Sequence, residues 1–238
     1  ETGAYATGIY GVHPYMLLNF VGKLNDVFTL AHEAGHCMHT YYSDTQPYIN
    51  KDYPIFLAEI ASTVNENLLL RGMLADTDDK DRQAYLLNHF IDEVRGTIIR
   101  QTMFAEFEWE AHKLAERGEP LTAEVFCKLY HELLSLYFGP DVEIDPYMDW
   151  EWARIPHFYR AFYVFKYATG FSAAAAISKR LLKTGEVAPY LAFLHAGGSD
   201  YPLETLKKAG VDLSTPVPVT EALSEFEDSI AQLENLLK

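Results

Sequence analysis

Three histidines and a glutamate fall within eight residues near the start of this chain, in the stretch VFTLAHEAGHCMHTYY (Val27 to Tyr42). Its centre, HEAGH, sets His32 and His36 four residues apart with Glu33 between them. On a helix, residues four apart share a face, so both imidazoles can reach one ion. Zinc favours such nitrogen ligands at about 2.0–2.1 Å. Glu33 lies one position round from His32. There a carboxylate can approach a water on the metal without binding the metal itself, which is where a general base is needed. Five positions with three fixed residues arise by chance in roughly one chain in a hundred of this length. The setting adds weight: Val27, Leu30, Ala31 and Ala34 make the helix apolar, and burying two histidines and a glutamate without partners is costly. The plainer alternative is a half-exposed helix whose histidines only form hydrogen bonds.

A catalytic zinc needs a third protein ligand and an open position. His39 is broadly on the same face, but seven residues of helix rise about 10 Å from His32, too far for one ion. No glycine turn followed by a later histidine rescues that geometry, so His39 is read as a packing or hydrogen-bonding residue. Glu59, in FLAEIAS, is the stronger candidate. It sits among Phe56, Leu57, Ile60 and Ala61 on a predicted helix that can pack back on the first. Glu66 is two turns further along that face, where it can accept a hydrogen bond from the far nitrogen of a ligating histidine.

Hydrolysis at such a centre develops a negative oxygen that a preorganised donor should meet. HFYRAFYVFKY offers His157, Tyr159, Tyr163 and Tyr167. The tyrosines recur every four residues, which would line one helical face. The alternative is an aromatic core stripe. Tyr10 and His13, in the first segment, are candidates for holding substrate, since an extended peptide can pair with a strand edge through main-chain hydrogen bonds. Both could equally pack against the helices.

The elements that must position these groups are mostly helices. Residues 1–22 read as the one β segment, a hairpin or bent edge strand, from their glycines, aromatics and Pro14. Asn25 is the predicted cap of the HEAGH helix, with Asp26 in its first turn. A loop holding Pro47, Asn50 and Pro54 follows, then a helix over IFLAEIASTVNENLLLRGML. A long third helix runs from Lys80 to Arg117, and a fourth, capped by Thr122, stops at FGPD. An acidic loop extends to Pro156, an aromatic helix covers His157 to Lys183, and short helices follow Pro189 and Pro202. A last helix starts near Thr220. No repeat or linker divides the chain, which reads as one mainly α domain over residues 1–238.

At these residues the sequence resembles the M3 (thimet oligopeptidase) metallopeptidases. HEAGHCMH and EIAS carry the resemblance. GAYATGIYGVHPYMLLNF, IPHFYRAFYVFKYATG and GGSDYPLETLKKAGVD look most like the oligoendopeptidase F branch. The resemblance implies a zincin-like helical catalytic domain with one Zn2+ held by His32, His36 and Glu59, and Glu33 as general base. It also implies an endopeptidase acting on short peptides, with a histidine and tyrosines after the acidic loop serving the oxyanion. It departs at Phe165, where a tyrosine is expected. Family members are more than twice as long. This chain, which opens at Glu1 rather than Met, is therefore expected to be a fragment, with the missing N-terminal lobe supplying much of the other wall of the substrate channel.

Composition excludes other classes. At 49% hydrophobic and 22% charged, the 238 residues suit a globular protein. A net charge of −15 without a basic stripe argues against nucleic acid. No apolar run is long enough for a bilayer, and no basic-then-apolar opening suggests a secretory signal. Cys37 and Cys127 fit a reduced, cytoplasmic setting, and Cys37 reads as a small buried apolar residue. Two rival readings are a zinc exopeptidase of carboxypeptidase type and a non-catalytic helical binding domain.

Overall fold

A computed structural model describes residues 3–238; Glu1 and Thr2, where the predicted β segment begins, lie outside the described residues. Strands β1 (Ala4–Gly8) and β2 (Pro14–Leu18) form an antiparallel hairpin in which Ala4 faces Leu18 and Gly8 faces Pro14. The helices are α1 (Leu24–Ser43), α2 (Ile55–Ala75), α3 (Lys80–Val94), α4 (Arg100–Glu116), α5 (Ala123–Phe138), α6 (Phe165–Thr184), α7 (Ala188–Ala196), α8 (Pro202–Lys208) and α9 (Val217–Leu236). The mainly helical class with a small N-terminal β segment is therefore what the chain adopts. Among the described residues, no helix is long and apolar enough to cross a membrane.

The chain forms two compact units. One comprises Glu1–Asp92 with Thr169–Lys238, the other Glu93–Ala168. The core of the first is built on α2, where Leu57, Ile60, Ala61 and Val64 are fully buried against Ala173 and Ile177 of α6 and Phe193 and Leu194 of α7. Each large apolar side chain so buried contributes about 1.5–3 kcal/mol. A helix that is apolar on most sides belongs inside, and α2 fits that rule. The second unit packs Met103, Phe104 and Phe107 of α4 on Tyr130, Leu133 and Leu134 of α5, with Ile155 and Val164. Its buried Glu151 accepts the Tyr130 hydroxyl at 2.8 Å and is paired with Arg100 and Arg154.

Several predicted boundaries shift, each for a local reason. Asn25 does not cap α1, which already begins at Leu24. Asp26 does the work instead: its Oδ2 accepts the N–H of Lys23 at 2.8 Å and of Val21 at 2.9 Å. Those bonds, that from Lys23 first, hold its carboxyl below the ordinary range. The single third helix is α3, a π-helical stretch at Arg95–Ile99, and α4. Gly96 followed by three β-branched residues is the weakest helical run in that segment. Thr122 caps α5 as expected, its Oγ1 accepting from Val125. The acidic loop contains a 3-10 helix, Pro146–Arg154. The last helix starts at Val217, three residues before Thr220, because prolines are tolerated in a first turn.

The largest difference concerns residues 157–164. They are not helical: a short 3-10 turn, Pro156–Tyr159, is followed by an irregular stretch, and α6 begins only at Phe165. Phe162 takes a left-handed backbone, φ +54°. Its N–H is claimed at 2.6 Å by Oε1 of the buried Glu108 rather than by a carbonyl one turn back.

Candidate metal centre

Helices α1 and α2 cross in backbone contact. A Cβ on Gly35 would stand 2.6 Å from the Ser62 Cα and 2.7 Å from the Ala61 carbonyl oxygen, so only glycine fits there. Asn65 Nδ2 donates to the Ala31 carbonyl at 3.2 Å and ties the crossing further. On α1 the stripe His32, Gly35, His36 faces α2; on α2 the stripe Glu59, Ser62, Glu66 faces α1. Both follow the three-and-four spacing of one helical face.

The crossing brings three ligand atoms together. His32 Nε2 and His36 Nε2 are 3.1 Å apart, and Glu59 Oε2 lies 3.4 Å from the first and 3.7 Å from the second. Ligand atoms held about 2.0–2.2 Å from an ion at tetrahedral angles stand about 3.3–3.6 Å from one another. The two imidazoles and the carboxylate thus fit three corners of a zinc site, and among the described residues they are the one such group.

Around them the second set of contacts is equally ordered. Glu66 Oε1 lies 3.2 Å from His32 Nδ1. A neutral His32 therefore carries its proton on Nδ1 and turns the Nε2 lone pair toward the cluster. Ser62 Oγ donates to Glu59 Oε2 at 3.4 Å. Burial pulls His32 down, yet hydrogen bonds to Glu59 and Glu66 outweigh it and raise the group to about 10. Burial and the neighbouring His32 lower His36. For Glu59, burial pushes up, but the hydrogen bond from His32 and the charge of both histidines prevail and lower it. The cluster holds a positive charge strongly, which a divalent ion can supply in place of a proton.

Glu33 is buried beside this group, and its Oε2 has no hydrogen-bond partner. Burial is the main cause of its raised pKa; His32 opposes the rise, while Glu59 and Glu66 add to it. His39 is fully buried with both ring nitrogens unpartnered, stacked on Tyr53 at 3.6 Å. It packs rather than hydrogen-bonds, and burial drives it down to about 3. Cys37, expected to be buried, is half-buried, and neither cysteine is in a disulfide.

The other predicted residues gather only in part. His157 Nε2 lies 2.9 Å from the Tyr167 hydroxyl, and the Tyr163 ring is 5.4 Å from His157 and 5.9 Å from Tyr167. Tyr159 is 82% exposed and has no ring contact with them among the described residues. The expectation that Tyr159, Tyr163 and Tyr167 line one helical face is thereby corrected, since two of them precede α6. Tyr10 donates its hydroxyl to the Gln46 carbonyl at 2.9 Å and stands edge-on to Tyr48. His13 Nδ1 is 3.0 Å from the Pro14 carbonyl oxygen, and its ring lies against Tyr15. Gly35, Asn65 and Ser62 were not singled out from sequence. The available signal was a glycine, an asparagine and a serine on helical faces that also carry the ligands.

A half-buried pair of histidines with an acid from the neighbouring helix, on a helical scaffold, is an arrangement that suits a metallopeptidase class. The chain belongs to that class by sequence as well: the peptidase family M3 profile matches residues 1–225, so the chain is a member of peptidase family M3. It is similar to oligopeptidase PepF of Bacillus subtilis (strain 168), 48% identical over all of this chain and 36% of that protein. The chromosomal oligoendopeptidase F of Lactococcus lactis subsp. cremoris is 46% identical over all of this chain and 40% of its own length. The crystal structure of oligoendopeptidase-F from Enterococcus faecium superposes with a TM-score of 0.81 at 48% identity, covering 90% of this chain and 39% of that one. The chain thus spans about two fifths of the length of these relatives.

Proposed function

We propose that residues 1–238 form the catalytic part of a zinc-dependent endopeptidase that cuts internal bonds of short peptides. The observation that carries this reading is the convergence of His32 Nε2, His36 Nε2 and Glu59 Oε2 within 3.1–3.7 Å, with the carboxylate of Glu33 buried beside them. His32, His36 and Glu59 would hold one zinc. The ion, when bound, would lower the pKa of a water to about 7 and polarise the substrate carbonyl.

The chain's own residues supply the rest. Glu33 accepts the proton of the attacking water and passes it to the nitrogen of the leaving amine. Burial raises its pKa, which favours its holding the proton between the two steps. Glu66 fixes the orientation and tautomer of His32. The group of His157, Tyr163 and Tyr167 is the assigned source of hydrogen bonds to the oxyanion. Tyr10, His13 and Tyr159 remain candidates for contacts along the peptide. The remaining three fifths of a relative-sized protein would complete the substrate channel. The two free thiols suit a reducing compartment, so a cytoplasmic setting belongs to the same reading.

Metal analysis and peptide mapping test it together. Purified chain is expected to carry one zinc, and peptide products are expected to come from internal cuts. Glu33→Gln should keep the zinc and lose at least about a thousandfold in rate. Absence of stoichiometric zinc, or a Glu33→Gln protein that cleaves normally, ends the assignment; stepwise loss from one terminus transfers it to an exopeptidase.

A further inference from the structure

Phe162 is the one non-glycine residue with a left-handed backbone among the described residues, and its side chain is half exposed. A bulky L-residue avoids that conformation unless its surroundings impose it. The imposing contacts come from α4. Glu108 is 95% buried, and its Oε1 accepts the Phe162 N–H at 2.6 Å. His112, one turn further along α4, lays its ring 4.6 Å from the Phe162 ring, while its Nδ1 sits 2.7 Å from the Glu108 carbonyl oxygen. Phe162 is thus held at its backbone and at its ring by the same stretch of helix.

The next residue is Tyr163. Its ring lies against His157 and Tyr167, and the Lys166 ammonium stands 4.3 Å above it. Had 157–164 continued α6 backwards, the Phe162 N–H would have gone to the Phe158 carbonyl. Tyr159, Tyr163 and Tyr167 would then have shared a face. With the N–H captured by Glu108, the chain turns instead, Tyr159 is left in solvent, and His157 takes its place beside the other two.

We propose that Glu108 is a positioning residue: its buried carboxylate holds the Phe162 turn and thereby sets Tyr163 against His157 and Tyr167. The value of that arrangement for hydrolysis rests on the oxyanion role assigned above, and the two can be separated. Glu108→Met keeps the buried volume but offers no acceptor; Glu108→Gln keeps an acceptor oxygen. In Glu108→Met the Phe162 amide is expected to exchange with solvent at least about tenfold faster, and the His157 ring signals in the NMR spectrum are expected to move. Peptide kcat is expected to fall about tenfold with KM within about twofold. Glu108→Gln should stay within about threefold of wild type in each readout. Adding Phe162→Gly to Glu108→Met should recover part of kcat, because glycine takes the turn unaided. A folded Glu108→Met protein with unchanged amide exchange and unchanged His157 signals overturns the proposal, as does a released amide with unchanged kcat where Tyr163→Phe is impaired. If Tyr163→Phe works at the wild-type rate while Glu108→Met still frees the amide and shifts His157, the oxyanion role fails and the positioning stands.

Discussion

Helix α1 and the segment from His157 to Tyr167 both bring histidine together with neighbouring polar side chains, but they do so by different means. In α1 the spacing in the sequence is already the geometry: two histidines four apart on a regular helix must share a face, and the helix's own hydrogen bonds keep them there. Between His157 and Tyr167 the spacing misleads. The arrangement there depends on a bond to Glu108, 54 residues away along the chain, which diverts the backbone from the helix its spacing suggests. One group is encoded locally and the other by tertiary contact, so substitutions should separate them.

The largest effect is expected at the ligand from α2. Glu59→Ala would remove one of the three donors proposed for zinc and should weaken zinc binding by more than about a hundredfold, measured by competition with a chelating indicator. Glu66→Gln only loosens the hold on His32 and should cost about tenfold in the same assay. Equal losses would mean that Glu59 and Glu66 play the same part, and the assigned coordination would then be wrong.

Gly35→Ala probes the scaffold rather than the donors. Its Cβ would meet the α2 backbone at 2.6 Å, where no flexible side chain can yield. The helices must separate, which should cost about 1–3 kcal/mol in urea unfolding and lower zinc affinity alongside. A variant of normal stability and affinity would show that the crossing has slack and that the donors do not depend on it.

What could be read without coordinates follows the same division. That His32 and His36 share a face of α1, and Glu59 and Glu66 a face of α2, was legible because helical periodicity fixes it and both helices are regular throughout; that the two faces meet was not fixed by periodicity. The hairpin was legible from its glycines and Pro14. The cap of α1 was misassigned because Asn25 and Asp26 are adjacent and both can cap; only the reach of the Asp26 carboxylate back to Val21 and Lys23 separates them. The turn at Phe162 left no local trace. Neither glycine nor asparagine marks it, and the residue responsible lies on α4.

A pH test bears on the α1 side alone. His39 titrates at about 3 in the folded chain, against an ordinary value of 6.5, because burial disfavours its charged form. Between those values the unfolded chain binds a proton that the folded chain does not, so stability rises with pH across the window and is lost as pH falls below about 6.5. The slope from this group approaches ~1.4 kcal/mol per pH unit. Urea unfolding of metal-free protein at pH 7, 6 and 5 should show it, and His39→Phe, which keeps a ring against Tyr53, should flatten it. An unchanged slope would place the titration elsewhere.

The smallest expected effect returns to Phe162, and it mirrors Gly35→Ala. At position 35 glycine is required for space; at position 162 it is permitted by backbone conformation but absent. Replacing Phe162 by glycine removes the left-handed penalty of about 1–2 kcal/mol. It also adds freedom to the unfolded chain, about 0.5–1 kcal/mol against folding, and gives up the ring contact with His112. These contributions oppose one another, so Phe162→Gly should lie within ~1 kcal/mol of wild type in urea unfolding. With Glu108 intact, the Phe162 N–H bond remains and the His157 signals should stay in place. A large loss of stability would mean that the ring holds this turn, not the Glu108 carboxylate, and would shift the origin of the geometry from a hydrogen bond to side-chain packing.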